Sequence, residues 1–238
     1  MQLSRFLCKH ADYSRKTVLQ LLSQQQVKVD CQTSQHREFP VTQFSHIEVQ
    51  GKTIQRHTAR YYMLNKPAGF LSATTDPVHP TALTLLTGID TSDLHIAGRL
   101  DRATTGLLIL TNDGKWSRKL TALKSIEEPA IPKVYLVETA YGLSPTTVQR
   151  FKEGIYFKTE NFTTRPAQLE IISEKISHLT IYEGRYHQVK RMFAAVGNRV
   201  VNLHREKIGE ISLGSNLKLG EFRALTLHEI NWMYITVK

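Results

Sequence analysis

This 238-residue sequence has few cysteines and no long apolar run, and these absences exclude several classes of protein. Its two cysteines, Cys8 and Cys31, are too few for a disulfide framework, so reduced thiols in a cytoplasm are the simplest interpretation. No apolar stretch reaches the roughly 18 residues that a transmembrane helix needs. The first ten residues, MQLSRFLCKH, lack the apolar segment of a secretory signal. We therefore expect a cytoplasmic protein without a membrane partner.

The motifs that bind nucleotide cofactors and metals are also missing. Residues 114–117, GKWS, resemble the end of a phosphate-binding loop, but Ile109 stands where that loop needs a glycine. No G-x-G-x-x-G follows a predicted strand, and no G-x-S-x-G is present. The ten histidines show no zinc-ligand spacing such as H-E-x-x-H. The sequence therefore predicts no ATP, NAD or metal site and no cofactor.

Positive charge is what the sequence has in excess. Lys and Arg together number 31, against 21 for Asp and Glu, which gives a formal net charge of +10. Net charge says nothing about the fold but bears on partners, and a nucleic acid is the partner that such a charge favours. The alternative at this point is a protein that is merely basic.

The first 58 residues are predicted to form a small domain of their own. Leu3, Phe6 and Leu7 have helical spacing, Ser14 is a candidate N-cap for a second helix, and residues 27–29 read as a short strand. The polar faces of this helical hairpin are basic and could contact RNA, although charged helix faces are also ordinary solvated surface. The basic residues that we single out there are Arg5, Arg15 and Lys16.

Residues 59–238 are predicted to form a second, α+β domain, joined to the first by a polar linker over residues 50–60. Its strand and helix signals do not alternate strictly, which favours a mostly antiparallel mixed sheet flanked by helices. Asn112-Asp113-Gly114 is predicted to be a turn, and a helix is predicted over residues 185–196. Strands are predicted over residues 61–64, 94–97, 106–111, 133–139, 168–173 and 177–182.

Two segments are dense in residue types that carry chemistry. The first, residues 95–106 (HIAGRLDRATTG), places Asp101 between Arg99 and Arg102 in a loop between two predicted strands. Nearby positive charge favours the ionised form of a carboxylate, so Asp101 is a candidate catalytic group. The competing interpretation is a surface aspartate that neutralises a neighbouring arginine, which is common in proteins.

The second segment, residues 183–193 (EGRYHQVKRMF), carries Lys190. Its predicted helix turns Tyr186, Val189, Phe193 and Val196 inward, and Lys190 lies at the edge of that apolar stripe. A lysine in this position needs either an anionic partner or a path for its head group to water. The residues themselves leave open which of these applies, and which carboxylate would be the partner.

Three motifs in the sequence resemble those of the pseudouridine synthases, and specifically the branch that acts on small-subunit ribosomal RNA. They are MLNKPAG (63–69), GRLDRATTGLLILTNDG (98–114) and EGRYHQVKRMFAAVGN (183–198), in the order and spacing of the family. The N-terminal unit resembles the S4-type RNA-binding domain of this branch, with Ser4 where an acid often stands. The resemblance spans essentially the whole chain and implies isomerisation of a uridine in 16S ribosomal RNA without a cofactor.

The resemblance also implies roles for individual residues. Asp101 matches the essential aspartate of the family, Tyr135 the tyrosine that packs on the target base, and Lys190 the basic residue that pairs with the aspartate. Arg99 matches the arginine that helps to hold the flipped nucleotide. The further RNA contacts that we expect are Arg102, Arg185 and His187 in the catalytic domain and Arg5, Arg15 and Lys16 in the N-terminal unit.

The implied reaction breaks the N1–C1′ bond of uridine, turns the base and rejoins it through C5. The resemblance favours a glycal-type intermediate formed by proton removal at C2′, whereas the residues alone do not separate this route from a covalent adduct of Asp101. The expected substrate is free 16S RNA or a partly assembled small subunit, bound by a monomer. Two alternatives stay open: a non-catalytic ribosome-assembly factor, and a synthase that acts on large-subunit RNA.

Overall fold

The computed structural model describes residues 1–122 and 130–235. The chain divides into two compact units, residues 1–59 and residues 60–238. Within the described residues, no helix combines the length and the apolar character that crossing a membrane requires.

The N-terminal unit packs two helices against a four-stranded antiparallel sheet around a single apolar core. The helices are α1 (Leu3–His10) and α2 (Arg15–Ser23), and the strands are β1 (Val27–Val29), β2 (Gln32–Thr33), β3 (Ile47–Val49) and β4 (Lys52–Gln55). The sheet order is β2-β1-β3-β4. Ser14 is the N-cap of α2, as predicted, because its hydroxyl accepts a hydrogen bond from the Thr17 amide.

The prediction of a linker over residues 50–60 is wrong for residues 52–55, which form β4. This strand lies at the edge of the sheet, and its side chains are exposed or only half-buried. An edge strand of this kind has no need of alternating apolar residues, so its sequence lacks the pattern by which strands are recognised.

Residues 60–238 are built on a mixed sheet with the order β11-β12-β8-β13-β7-β5-β15. The strands of this sheet are β5 (Tyr61–Lys66), β7 (Thr105–Thr111), β8 (Lys133–Thr139), β11 (Gln168–Ile171), β12 (Ile176–Ile181), β13 (Val200–Ile208) and β15 (Phe222–Ala224). In addition, β6 (His95–Ala97) pairs with β7, β14 (Ile211–Ser212) pairs with β13, and β9 (Tyr156–Phe157) forms a separate hairpin with β10 (Phe162–Thr163). Only the β7–β13 pair is parallel among these described strands, so the prediction of a mostly antiparallel mixed sheet is confirmed.

Helices cover both faces of this sheet. They are α3 (Gly114–Thr121), α4 (Pro145–Glu153), α5 (Gln188–Ala195) and α6 (Leu227–Ile235), and a 3₁₀ turn spans Ala82–Leu85. The side chains of β7 alternate between two cores: Leu108 and Leu110 belong to the core that holds residues of α4 and α5, whereas Leu107 and Ile109 belong to the core that holds residues of α3 and α6. A continuous apolar run such as LLIL is therefore the signature of a strand buried on both sides.

Two boundaries differ from the prediction for local reasons. Asn112-Asp113-Gly114 is not a free turn, because Asp113 caps α3 by accepting hydrogen bonds from the Lys115 and Trp116 amides. Helix α5 begins at Gln188 and not at residue 185, because His187 has a left-handed backbone with φ of 49°. Tyr186 consequently does not lie on the inward face of a helix, and its side chain is 76% exposed.

Candidate active site

The loop that carries Asp101, between β6 and β7, is fixed by a buried lysine. Lys66, the last residue of β5, is fully buried, and its Nζ donates to the carbonyl oxygens of Asp101 at 3.3 Å, Arg102 at 3.2 Å and Thr104 at 2.8 Å. A fourth bond, of 3.0 Å, goes to the carbonyl of Pro67. A buried ammonium group is costly unless its donors are satisfied, and here four backbone carbonyls satisfy them.

A buried arginine fixes the first residues of the same loop. Arg205 of β13 is 2% exposed, and its guanidinium donates to the carbonyl oxygens of Gly98 at 3.0 Å and Arg99 at 3.4 Å. Its Nε donates to the carbonyl of Leu107 in β7 at 2.8 Å. Arg205 can approach β7 this closely because Gly106 faces it without a side chain: a Cβ at Gly106 would lie 2.3 Å from the Arg205 carbonyl oxygen.

The Asp101 carboxylate contacts residues at the start of α5, and each of its oxygens faces a basic side chain. Lys190 Nζ lies 3.1 Å from Oδ2, and His187 Nε2 lies 3.3 Å from Oδ1. All three side chains are partly exposed, between 27% and 38%. The arrangement holds the carboxylate in one orientation and leaves it accessible to a ligand.

The turn before α5 places these two basic residues. The carboxylate of Glu183, which is 6% exposed, accepts hydrogen bonds from the Gln188 side chain at 2.8 Å and the Arg165 amide at 3.0 Å. The Gln188 side chain in turn accepts a bond of 3.0 Å from the Arg185 amide. These bonds close residues 183–188 into a turn, and the positive φ of His187 then directs its ring towards Asp101.

A pocket lies next to the Asp101 carboxylate, and strand residues form its wall. Tyr135 and Lys133 both line it because alternate residues of β8 point to the same side of the sheet. Tyr135 stands opposite Arg205 in the register of β8 and β13, and its side chain is 6% exposed. Thr104 also lines the pocket, and its buried hydroxyl has no hydrogen-bond partner within residues 1–122 and 130–235.

Burial alters the acidity of two lysines around this pocket. Burial lowers the pKa of Lys66 to about 8. The negative charge of Asp101 raises this pKa, and the positive charge of Arg205 lowers it. Burial likewise lowers the pKa of Lys133 to about 8; Arg205 lowers it further, and Glu183 raises it. A pKa of about 8 leaves each lysine mostly protonated at neutral pH.

The structure brings most of the sequence-predicted residues of the catalytic domain to one place. Asp101, Tyr135, Lys190, Arg99, Arg185 and His187 all line the pocket. Arg102 is not among the residues that line the pocket. Its side chain is exposed, and its Nε donates to the Gly69 carbonyl at 3.0 Å, while its own carbonyl accepts a bond from Lys66. Both the backbone and the side chain of Arg102 therefore hold the loop. Lys66, Lys133 and Arg205 are pocket or loop residues that sequence reasoning missed; Lys66 stands inside the MLNKPAG motif, which was the available signal for it.

The basic residues predicted in the N-terminal unit lie on its surface. Arg5 and Arg15 line one groove together with Arg37, which sequence reasoning did not single out. Lys16 is exposed beside them on α2. This groove carries three guanidinium groups, which suits a phosphate-bearing ligand.

No group of three or more His, Cys, Asp or Glu side chains within the described ranges is placed to hold a metal ion. The groups that the pocket presents include the Asp101 carboxylate, the two basic side chains that contact it, and the Tyr135 ring.

Fold, pocket and sequence motifs together define the class of protein. The chain belongs to the RNA pseudouridylate synthase family, which matches residues 60–195.

Three similar proteins match this chain over almost its whole length. Ribosomal small subunit pseudouridine synthase A of Vibrio cholerae is 45% identical over 230 residues, covering 97% of this chain and 98% of that protein. The protein of the same name from Escherichia coli strain K12 is 42% identical over 231 residues, covering 97% and 98%. A crystal structure of a pseudouridylate synthase is 37% identical, with a TM-score of 0.69, and covers 98% of this chain and 99% of that one.

Proposed function

We propose that this chain isomerises a uridine of small-subunit (16S) ribosomal RNA to pseudouridine, with Asp101 as the catalytic carboxylate. The observation that carries the proposal is the Asp101 carboxylate, held at a pocket by Lys190 at 3.1 Å and His187 at 3.3 Å. Membership of the RNA pseudouridylate synthase family supports the reaction. Relatives named for the small ribosomal subunit, which match almost the whole chain, support the choice of RNA.

The reaction needs no group beyond those of the protein and the RNA. The N1–C1′ bond of the uridine breaks, a C5–C1′ bond forms, and the hydrogen of C5 is replaced by one on N1, so nothing is oxidised or reduced. In its ionised form, Asp101 removes the C2′ proton on the glycal route or attacks C1′ on the covalent route. Lys190 and His187 orient the carboxylate for either step.

Tyr135 would pack against the uracil ring in the pocket. A base that leaves its stack costs a few kcal/mol, and the cost is smallest for a base that starts unpaired. Stacking on an aromatic side chain returns about 1–3 kcal/mol per base. Arg99 and Arg185, which line the same pocket, would contact the phosphates on either side of the flipped nucleotide.

The N-terminal unit would supply further RNA affinity as an S4-like domain. Its groove with Arg5, Arg15 and Arg37, and the neighbouring Lys16, support this role because guanidinium and ammonium groups contribute most of the non-specific affinity for a nucleic-acid backbone. The partner would be 16S RNA, either free or in a partly assembled small subunit, bound by a monomeric cytoplasmic enzyme.

The test uses the purified full-length protein and its Asp101→Asn variant, incubated with a small-subunit RNA transcript and with partly assembled small subunits. Pseudouridine is mapped by chemical labelling and primer extension. We expect one new stop with the wild type and none with Asp101→Asn, which keeps the shape of the side chain, and similar RNA binding by both proteins.

Large-subunit RNA in the same assay serves as the specificity control. A new stop only on large-subunit RNA would contradict the proposed substrate. Appreciable turnover by Asp101→Asn would contradict the role of the carboxylate, and tight binding without any stop would favour an assembly factor over an enzyme.

A further inference from the structure

A shallow groove adjoins the active-site pocket and has no role in the reaction described so far. Phe157, Phe162, Arg185, Tyr186 and Arg191 line it, together with Glu160 and Gly184. Arg185 and Gly184 are wall residues of both cavities, so the groove begins where the pocket ends.

Tyr186 gives this groove a fixed aromatic surface. Its ring stacks on the His187 ring, with centroids 3.8 Å apart and an interplanar angle of 18°, yet 76% of the residue remains exposed. His187 in turn contacts Asp101, which ties the aromatic surface directly to the proposed catalytic carboxylate. An aromatic side chain that is so exposed adds little to the core, but it is well placed to stack on a ligand.

Two arginines also line the groove. The Arg185 guanidinium lies over the Phe162 ring, 3.4 Å from its centroid, and the Arg191 guanidinium lies 3.9 Å from the centroid of Phe157. Each arginine also contacts a carboxylate, Glu183 for Arg185 and Glu160 for Arg191, so the two guanidinium planes are held in place. Aromatic faces interleaved with arginine planes are the surface on which proteins stack unpaired RNA bases.

We propose that this groove binds a nucleotide that flanks the target uridine, with its base stacked on Tyr186. Arg185 and Arg191 contact the phosphate of that nucleotide, because a guanidinium has five N–H donors and can donate to a phosphate oxygen in addition to its carboxylate partner. The inference rests on the proposed function, since it assigns a second subsite to the same RNA substrate. The groove would therefore favour targets whose neighbouring base is unpaired and can stack.

The first experiment compares Tyr186→Ala, Tyr186→Phe and Tyr186→Trp in multiple-turnover assays on small-subunit RNA. We expect Tyr186→Ala to lower kcat/KM about tenfold, which corresponds to about 1.4 kcal/mol. Tyr186→Phe and Tyr186→Trp should stay within about twofold, because both keep an aromatic face. The control is Tyr141→Ala, another exposed tyrosine, which follows the end of β8 opposite to the pocket and should leave kcat/KM unchanged.

The second experiment separates stacking from an indirect effect through His187. Short RNAs around the uridine that the wild type modifies are made with an abasic ribose at the 5′ or the 3′ neighbour. With one of these two RNAs, wild type and Tyr186→Ala should have the same kcat/KM, because the base that Tyr186 contacts is missing. A residue that only positioned His187 would lower kcat equally with every RNA, and that result would overturn the inference.

The two proposals fail in different ways. If the wild type modifies small-subunit RNA but Tyr186→Ala is as active as the wild type, the subsite is wrong and the proposed function stands. If the wild type modifies neither the RNA nor the particle, both proposals are wrong. A defect of Tyr186→Ala confined to assembled particles, with free RNA unaffected, would indicate a protein contact in the groove and would also overturn the nucleotide subsite.

Discussion

At the scale of single residues, the basic side chains of the site have two different tasks. Lys66 and Arg205 are buried and bind backbone carbonyls, so they shape the loop. Lys190 and His187 are partly exposed and contact the Asp101 carboxylate, so they orient the proposed catalytic group. A substitution of the first kind should act on folding, and one of the second kind on catalysis.

Replacing Lys190 tests this division. Lys190→Met keeps most of the length of the side chain and removes the charge next to Asp101, so we expect kcat to fall by at least about tenfold, the change that 1.4 kcal/mol gives. The free energy of unfolding should change by less than about 1 kcal/mol, because the ion pair is partly exposed. Steady-state kinetics and urea titrations measure the two quantities.

The matched control for this substitution is Lys207→Met. Lys207 Nζ lies 3.7 Å from Glu210 Oε2 in a partly exposed ion pair of the same unit. The Lys207→Met protein should therefore keep the activity and the stability of the wild type. Equal kcat for Lys190→Met and the wild type would contradict a role of Lys190 in catalysis.

Individual residues also show which parts of the site could be predicted from the sequence and which could not. Asp101 and Lys190 were predicted as site residues because each stands in a motif that resembles those of the family, and both line the pocket. Arg205 was not, because the carbonyls that satisfy it belong to residues about a hundred positions earlier, and only the parallel pairing of β7 with β13 brings them together. The sequence predicted that Tyr186 faces the core, because its spacing to Val189 fits a helix. That prediction is wrong, because His187 has a left-handed backbone and α5 begins only after it.

At the scale of elements, the meeting of β7 and β13 is the contact on which the site depends. Gly106 has a φ of 103° and faces the backbone of Arg205, and this is the point where the two strands pair in parallel. A side chain there would clash with backbone atoms and would also meet an unfavourable φ. The close approach in turn lets Arg205 reach the carbonyls of the Asp101 loop.

Gly106→Ala should therefore destabilise the protein by about 2–4 kcal/mol, as small-to-large changes and strained φ values do when combined. Gly114→Ala is the control, since Gly114 begins α3 with no atom within 4 Å of an added Cβ and without a positive φ. Urea titration of both variants gives the comparison. A Gly106→Ala protein as stable as Gly114→Ala would show that the backbone yields easily at this point.

The final helix offers a prediction about pH. The Glu229 carboxylate accepts hydrogen bonds from Arg223 at 2.7 and 2.8 Å and from the Thr226 amide at 2.8 Å, and the Arg223 bonds contribute most to holding the pKa of Glu229 below its usual value. A carboxyl group with a lowered pKa stabilises the fold fully above its unfolded-state pKa, and this contribution is lost as the pH falls through the folded-state pKa.

Glu229→Gln should accordingly lower the free energy of unfolding by about 1–2 kcal/mol at pH 7, the range for a charge-assisted hydrogen bond in a partly buried position. The difference from the wild type should shrink as the pH falls from neutral through the folded-state pKa of Glu229, because the wild-type carboxyl then becomes protonated as well. Urea titrations at a series of pH values from 7 downward measure it. A difference that stayed constant with pH would mean that the charge of Glu229 contributes nothing.

The start of a helix could be predicted from the sequence where a residue typical of helix caps precedes it. Ser14 was predicted from the sequence as a helix N-cap, and its hydroxyl accepts the capping hydrogen bond from the Thr17 amide. Strand β4 was missed because it is polar, and α3 was missed because the residues that cap a helix are also those that form turns.

At the scale of the whole molecule, the chain has two units with separate apolar cores. The core of residues 1–59 includes Leu3, Val18 and Ile47, and the cores of residues 60–238 draw on none of these. Each unit should therefore fold without the other, and the composition alone, with its net charge of +10, could not say which unit meets RNA.

Removing residues 1–59 separates the contributions of the units. We expect the remaining chain to fold, to bind small-subunit RNA more weakly, and to show a flatter salt dependence. If Arg5, Arg15 and Lys16 each contact one phosphate, the slope of log K against log salt should fall in magnitude by about 2, since single-stranded contacts contribute about 0.7 each. Binding measured from low to moderate salt gives both slopes, and an unchanged slope would mean that the N-terminal unit does not touch the RNA.

The two buried cations have a consequence for the way in which this enzyme selects its substrate. Fixing a backbone residue in one conformation costs about 1–2 kcal/mol of entropy, and the hydrogen bonds of Lys66 and Arg205 fix the loop around Asp101 when the chain folds. We therefore expect the loop to lose little further entropy when RNA binds, and to adapt little to a poorly shaped RNA. Selection should then depend on the RNA: sites that bend and open readily should fit the fixed loop, whereas stiff, fully paired sites should bind poorly because opening them costs free energy.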